Sequence, residues 1–301
     1  MPTIDIDTKY ITLIGTPLGQ SFAARMQNRA YAAMGQKLLY TYTEADSEHL
    51  GEIVNGLRWM PNVLGFAVTK PNKVKVLEYL DELDPLCGKM GSCNTVLRKS
   101  DGRLIGYNTD GMGFYISLTE EAGIDVRGKT FFCFGTGGAA RAMCSVLAHY
   151  GAGKIYVTSR NAEKRRAFVE DINKNFAPVA ETVETGDYSK LTLCDVVMNA
   201  SGVGMGSTQG QSPLPAEFIN KNAFYFDACY NPAKTQFLLD AEEQGCEILN
   251  GLGMSLYQGA AQIKIWTGLE PPTGIMREEL LDILAEKQRE RTEENANTQM
   301  A

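Results

Sequence analysis

The sequence predicts an α/β protein with two sheet-containing domains, one of them a Rossmann-type dinucleotide-binding unit. Three observations predict it. Short apolar runs alternate with segments of helical period along most of the chain, the pattern of sheets covered by helices. The stretch from Lys129 to Asn161 reads strand, glycine turn, helix, strand. And 301 residues suffice for two medium domains, each with its own core.

In chain order, Tyr10–Gly15 reads as a strand entering a Gly-Pro-Gly-punctuated turn, and a helix over Arg25–Met34 is closed by Gly35. Leu38–Thr43 is a second strand, His49–Trp59 a helix, and Leu64–Thr69 a third strand ending at Lys70-Pro71-Asn72-Lys73. A helix is expected over Val74–Leu83. Met90–Leu97 and Leu104–Asn108 then form a hairpin with Asp101-Gly102 as its turn. After the break at Asn108–Gly113 a helix over Phe114–Ala122 leads into the nucleotide unit. Val196–Ala200 and Phe224–Ala228 are further strands, Thr235–Gln244 a helix and Glu247–Leu249 a short strand. Helices over Met254–Gly268 and Ile275–Arg289 follow, split by Pro271-Pro272. The polar end, 291–301, is expected to be disordered.

The central unit opens with the apolar run Thr130–Phe134, followed by Gly135-Thr136-Gly137-Gly138-Ala139-Ala140. This is G-x-G-x-x-A, an accepted form of the dinucleotide fingerprint. Gly135 makes the tight turn, Gly137 lets the backbone approach a pyrophosphate, and Ala140 lets the helix pack close. The helix N-terminus offers free N–H groups to the phosphates. A glycine turn in an α/β unit without a ligand is the plain alternative. An NAD site calls for an acidic residue at the end of the second strand. Here Ile155–Thr158 ends in Ser159-Arg160-Asn161, with Lys164 and Arg165 beyond. Arginine beside hydroxyls suits a 2′-phosphate, so the expected cofactor is NADP, with NAD left open. Lys164 and Arg165 can equally serve only to solvate a helix face.

Composition narrows the classes. The net charge is −7 and there is no dense basic block, which argues against a nucleic-acid surface. No apolar run reaches transmembrane length, and MPTIDIDTKY lacks the basic-then-apolar order of a secretory signal. Seven cysteines, none in C-x-x-C spacing, read as free buried thiols of a reducing cytoplasm. With two histidines, a histidine metal site or a Ser-His-Asp triad is not expected, and no metal is assigned.

For chemistry, Lys73 follows a strand at the edge where open sheets bind ligands, and Asp110 lies in a turn at the domain junction. A lysine and a carboxylate sharing a cleft can move a hydroxyl proton during hydride transfer. From spacing alone each is also an ordinary surface residue. Asn94 is equally a turn-former, Gln258 a core amide and Tyr230 a packing residue.

Together these residues resemble the shikimate dehydrogenase family, including the quinate/shikimate dehydrogenases, from Gly15 to about Glu279. The V-T-x-P-x-K segment is Val68–Lys73, G-[AS]-x-N-T is Gly91–Thr95, and N-T-D-G-x-G is Asn108–Gly113. G-x-G-G-[AS] is Gly135–Ala139, and the strand ending in x-R is Ser159-Arg160. N-A-[ST]-x-x-G-M is Asn199–Met205, D-x-x-Y-N-P is Asp227–Pro232, and G-x-x-M-x-x-x-Q is Gly251–Gln258.

The resemblance implies a substrate domain over 1–110, completed by C-terminal helices over 251–301, an NADP-binding domain over 111–250, and a cleft between them. It implies Lys73 and Asp110 as the acid/base pair, with Thr69, Asn94 and Gln258 on the ring hydroxyls. Ser21 and Tyr230 join the substrate group. Gly135, Gly137, Gly138, Ala139, Ser159, Arg160 and Gly253 form the cofactor group. The implied activity interconverts shikimate, or a related cyclic hydroxy acid, and its ketone. Quinate or another such acid with NAD is the alternative within enzymes. A non-catalytic ligand sensor is the rival outside them, against which Lys73 and Asp110 are both present. The implied partners are a small cyclic acid and, as one open assembly, a second copy.

The departures fall in the substrate pocket. The carboxylate loop S-x-S-P is here Ser21-Phe22-Ala23-Ala24, with Gln27-Asn28 following; Ala67 replaces an asparagine and Lys70 an apolar residue. A hydroxyl lost from a buried carboxylate's site weakens binding by about 1–3 kcal/mol. Arg25 and Lys70 are extra cations that could compensate, or serve only the surface.

Overall fold

The computed structural model describes residues 4–19 and 21–300, with side chains to 290. It divides into two compact units, 1–109 with 259–301, and 110–258. The second crossing lies inside a helix, between Gln258 and Gly259, rather than at 251.

The first unit holds β1 (Lys9–Gly15), α1 (Ala23–Ala33), β2 (Leu38–Glu44), α2 (Leu50–Arg58), β3 (Val63–Val68), β4 (Glu82–Leu83), α3 (Pro85–Met90), β5 (Thr95–Arg98) and β6 (Leu104–Tyr107). Its sheet runs β2-β1-β3-β5-β6-β4. β1 pairs in parallel with β2 and β3, whereas β5 is antiparallel to β3 and β6. Amphipathic period explains the helices: α2 buries Leu50, Val54 and Leu57 against Ile14, Phe66 and Val96 of the sheet. The hairpin turns where expected, with Gly102 at φ +90° donating its N–H to Lys99 O at 3.0 Å.

Two readings on this side need correction. The helix expected over Val74–Leu83 is a five-residue 3-10 turn, Lys75–Tyr79. Glu82–Leu83 instead pairs in parallel with β6. The strand expected over Met90–Leu97 begins only at Thr95, because Met90 ends α3. Both errors miss one signal. Asp84 caps the N–H groups of Leu86 and Cys87 ahead of Pro85, and Gly91 closes the helix at φ +63°.

The C-terminal segment completes this unit. The later part of α8 (Leu252–Thr267) places Trp266, whose Nε1 donates to Val96 O at 2.9 Å. Only glycine fits beneath the indole: a Cβ at Gly65 would stand 2.6 Å from that nitrogen. α9 (Thr273–Met300) buries Met276, Leu280 and Ile283 and stays helical through the polar stretch where disorder is expected.

The second unit contains α4 (Thr109–Ile116), running into a π turn, then β7 (Thr130–Phe134), α5 (Gly138–His149), β8 (Lys154–Thr158), α6 (Ala162–Asn175), β9 (Ala180–Thr182), β10 (Val196–Asn199), β11 (Phe224–Asp227), α7 (Gln236–Glu243) and β12 (Ile248–Asn250). The order is β12-β11-β10-β7-β8-β9, all parallel. Counted from β7, this is the 3-2-1-4-5-6 winding of dinucleotide-binding sheets, with its switch point between β7 and β10. The four central strands, β7, β8, β10 and β11, are buried on both faces and read as apolar runs.

Backbones touch where α4 meets α8. A Cβ at Gly113 would lie 2.7 Å from Gln258 N. Gly113→Ala is therefore expected to destabilise the protein by about 1–3 kcal/mol, read as a lower urea midpoint with the slope unchanged. An unchanged midpoint would show that the two helices separate freely.

Candidate active site

The glycine turn lies at the switch point. β7 leaves the sheet through Gly135 at φ +115°, where a Cβ would meet Ala200 O at 2.7 Å and Ser201 N at 2.9 Å. Only glycine turns here without pushing β10 away. Gly137 caps α5 with an extended backbone, and Cβ atoms added at Gly137 or Gly138 would meet nothing within 4 Å. Open space in front of a helix N-terminus is what a pyrophosphate needs. Ala140 is fully buried, as close packing of α5 requires.

A cavity of about 500 Å³ opens along this edge, reaching from Gly135–Gly137 to Ser159, Arg160 and Lys164. The Thr158 hydroxyl at its wall is buried without a hydrogen-bond partner. On the far side, Asn199 Oδ1 accepts from Ser201 N at 3.1 Å, and its Nδ2 donates to Val203 O at 2.9 Å and to Asp227 at 3.0 Å. Asp227 also accepts from Thr235 Oγ1 at 2.6 Å and Cys229 N at 2.9 Å. Burial nevertheless pushes its carboxyl above the usual range. The paired motif residues Asn199 and Asp227 thus shape the loops after β10 and β11. A pyrophosphate fits the open glycines, and a second phosphate fits the basic, hydroxyl-bearing end.

Arg165 departs from the solvated-helix reading. It is 1 % exposed, while Lys164 and Arg166 on either side are exposed.

In the first unit, Thr69, Lys73 and Asn94 come together at the end of β3. Thr69 N donates to Ile14 O at 2.9 Å, Val68 N to Asn94 O at 2.8 Å, and Cys93 N to Lys73 O at 2.8 Å. Asn72 is fully buried and pins this loop by donating to Ala45 O at 3.0 Å and accepting from Ser47 Oγ at 2.8 Å. Nothing in the sequence pattern marks Asn72 for that work. Asn94 is more than a turn-former. Its Oδ1 accepts from Thr109 N and Thr95 Oγ1, each at 2.8 Å, and its Nδ2 donates to Thr109 Oγ1 at 2.9 Å. Gln262 Nε2 extends the network to Thr95 Oγ1 at 3.0 Å.

In the second unit, Asp110 and Gln258 lie on the two helices that touch at Gly113. Asp110 is three residues before Gly113, on the same helix face. Burial raises the Tyr230 phenol, and a hydrogen bond with Ser255 of α8 offsets part of the shift. A Cβ at Gly253 would collide with Ser117 and Glu121, a packing constraint that the motif alone does not reveal.

Two family models match: the shikimate dehydrogenase substrate binding domain over residues 13–96, and the shikimate 5′-dehydrogenase C-terminal domain over 251–281. A shikimate dehydrogenase (NADP(+)) of Moorella thermoacetica is 36% identical over 92% of this chain and 94% of its own. The chain belongs to the shikimate dehydrogenase family. The shikimate 5-dehydrogenase of Listeria monocytogenes, solved with shikimate and NAD, superposes with a TM-score of 0.88 at 37% identity, covering 93% of this chain and 99% of that one. The 5-ketofructose reductase of Gluconobacter sp. strain CHM43 superposes at 0.85 with 31% identity, covering 92% and 99%.

Against the shikimate dehydrogenase pattern, the altered carboxylate loop has a distinct build. Ser21 Oγ accepts from Ala23 N at 3.3 Å, leaving its own proton to donate. Tyr42 closes the loop, donating to Ser21 O at 2.9 Å and accepting from Ala24 N at 3.2 Å. Arg25 does not replace the lost serine: it pairs with Glu279 at 2.8 Å and with Glu286, both on α9. Lys70 is exposed, and Ala67 is buried within β3.

Proposed function

We propose that this chain is an NADP-dependent oxidoreductase that interconverts shikimate, or a closely related cyclic hydroxy acid, and its 3-dehydro ketone. The observation that carries this reading is the open glycine turn at the switch point, leading to a Ser159-Arg160 turn with no acidic residue at the end of β8. NADP supplies hydride acceptance at its nicotinamide ring.

The chain supplies the rest. Lys73 Nζ takes the hydroxyl proton as the carbon is oxidised and returns it when the ketone is reduced. Asp110 supports the charged state of that lysine. Thr69, Asn94, Tyr230 and Gln258 hold the ring, and Ser21 donates to its carboxylate. Gly135, Gly137, Gly138, Ala139 and Gly253 form the cofactor cradle, with Ser159 and Arg160 on the 2′-phosphate. A cytoplasmic location belongs to the same reading, since all seven cysteines are free and buried. Among the described residues no helix is long and apolar enough to cross a membrane.

One observation favours a second reading. Ala23 leaves a single serine for the carboxylate, which suits a hydroxy ketone lacking that group. The two readings part on one variant. Ala23→Ser is expected to raise kcat/KM for shikimate severalfold, the effect of one hydrogen bond to a charged group. A fall, together with faster turnover of a keto sugar, would favour the second.

A further inference from the structure

We infer that Arg165 is a positioning residue for the cofactor, holding the Ser159–Asn161 turn in the shape that separates NADP from NAD. The inference rests on the NADP reading above. Arg165 Nη1 donates to Ser159 O at 2.8 Å and to Thr185 Oγ1 at 3.5 Å, and its Nη2 pairs with Glu184. Thr185 Oγ1 donates to the same Ser159 carbonyl at 3.0 Å. One carbonyl thus receives two donors from two different segments. Thr185 lines the cavity, as does Lys164 beside Arg165.

A helix face that needed only solvation would leave residue 165 exposed, as it leaves Lys164 and Arg166. Burying a guanidinium is costly unless its donors are used; here Nη1 is spent on the turn and Nη2 on Glu184, while Nε is buried without a hydrogen-bond partner. Fixing the Ser159 carbonyl fixes the peptide that joins Ser159 to Arg160. Asn161 closes the turn from the other side, its Oδ1 accepting from Lys164 N at 2.9 Å. A lysine at 165 could not span carbonyl, hydroxyl and carboxylate together, because its donors sit on one point charge. NAD carries only a hydroxyl where NADP carries the phosphate. Slackening the turn should therefore weaken NADP far more than NAD.

The test uses the full chain and its variants Arg165→Met, Arg165→Lys and Thr185→Val. Initial rates are measured at saturating shikimate with NADP or NAD varied, alongside thermal midpoints. For Arg165→Met the expected result is KM for NADP raised about tenfold, KM for NAD within about twofold, and kcat at saturating NADP unchanged. Arg165→Lys should fall between, and Thr185→Val should shift the ratio about threefold the same way. KM values that rise together for both cofactors, or do not move, overturn the inference. If Arg165→Met does not fold, Thr185→Val decides by the same ratio. A wild type that prefers NAD defeats the NADP reading itself. A wild type that prefers NADP, with variants of unchanged ratio, defeats only the clamp.

Discussion

Lys73→Ala lowers kcat by roughly 10²–10⁴-fold while NADP affinity holds. The factor is what removing a positioned acid/base group costs. Lys73 is held by local contacts. Its loop is tied on both sides, by Cys93 N to its own carbonyl and by the buried Asn72 one residue earlier. A surface lysine needs no such scaffold. NADP affinity should hold because the glycine turn and the Ser159-Arg160 end lie in the other unit. The check pairs steady-state kcat with an NADP titration that follows protein fluorescence. Near-normal kcat would reduce Lys73 to a surface residue. A parallel loss of NADP binding would mean that the substitution acts through the fold.

The second large effect separates two glycines that stand two positions apart in the sequence. Gly135→Ala places a Cβ 2.7 Å from Ala200 O, on a backbone at φ +115°. Strain and overlap add, so a loss of several kcal/mol in stability is expected, with NADP binding lost as the strands part. Gly137→Ala meets nothing within 4 Å and sits at φ −80°, which alanine adopts freely. Its stability should stay within about 0.5 kcal/mol. Its NADP affinity should fall about tenfold or more, because the new methyl stands where the pyrophosphate must approach. Thermal melts and NADP titrations on both variants provide the check. Wild-type affinity in Gly137→Ala would move the pyrophosphate away from this turn.

The central strands of the second unit's parallel sheet are legible because they are buried on both faces, whereas the half-buried edge strand Ala180–Thr182 is not. Thr130–Phe134, Val196–Asn199 and Phe224–Asp227 stand out as apolar runs whatever surrounds them. The segment between Lys73 and Asn94 is not legible either. Its short elements are decided by one cap at Asp84, one glycine at Gly91 and two residues of pairing at Glu82–Leu83, too little for periodicity to register.

Site residues divide in the same way. The glycine turn and the open helix end after it are legible in sequence, since both are local. Arg165 could not be told from its basic neighbours, because its partners Glu184 and Thr185 arrive from a different segment. The motifs named Asn94 and Gly253 but concealed the hydrogen-bond network of the first and the tight packing of the second.

Oxidation of a cyclic hydroxy acid with NADP is open to direct measurement. The most direct measurement mixes the wild-type protein with shikimate and either NADP or NAD, and follows reduced-nicotinamide absorbance. Turnover with shikimate, and a kcat/KM for NADP well above that for NAD, is the result expected from Arg160 and the absence of an acid at the end of β8. No turnover of shikimate with either cofactor, or a preference for NAD, would contradict it.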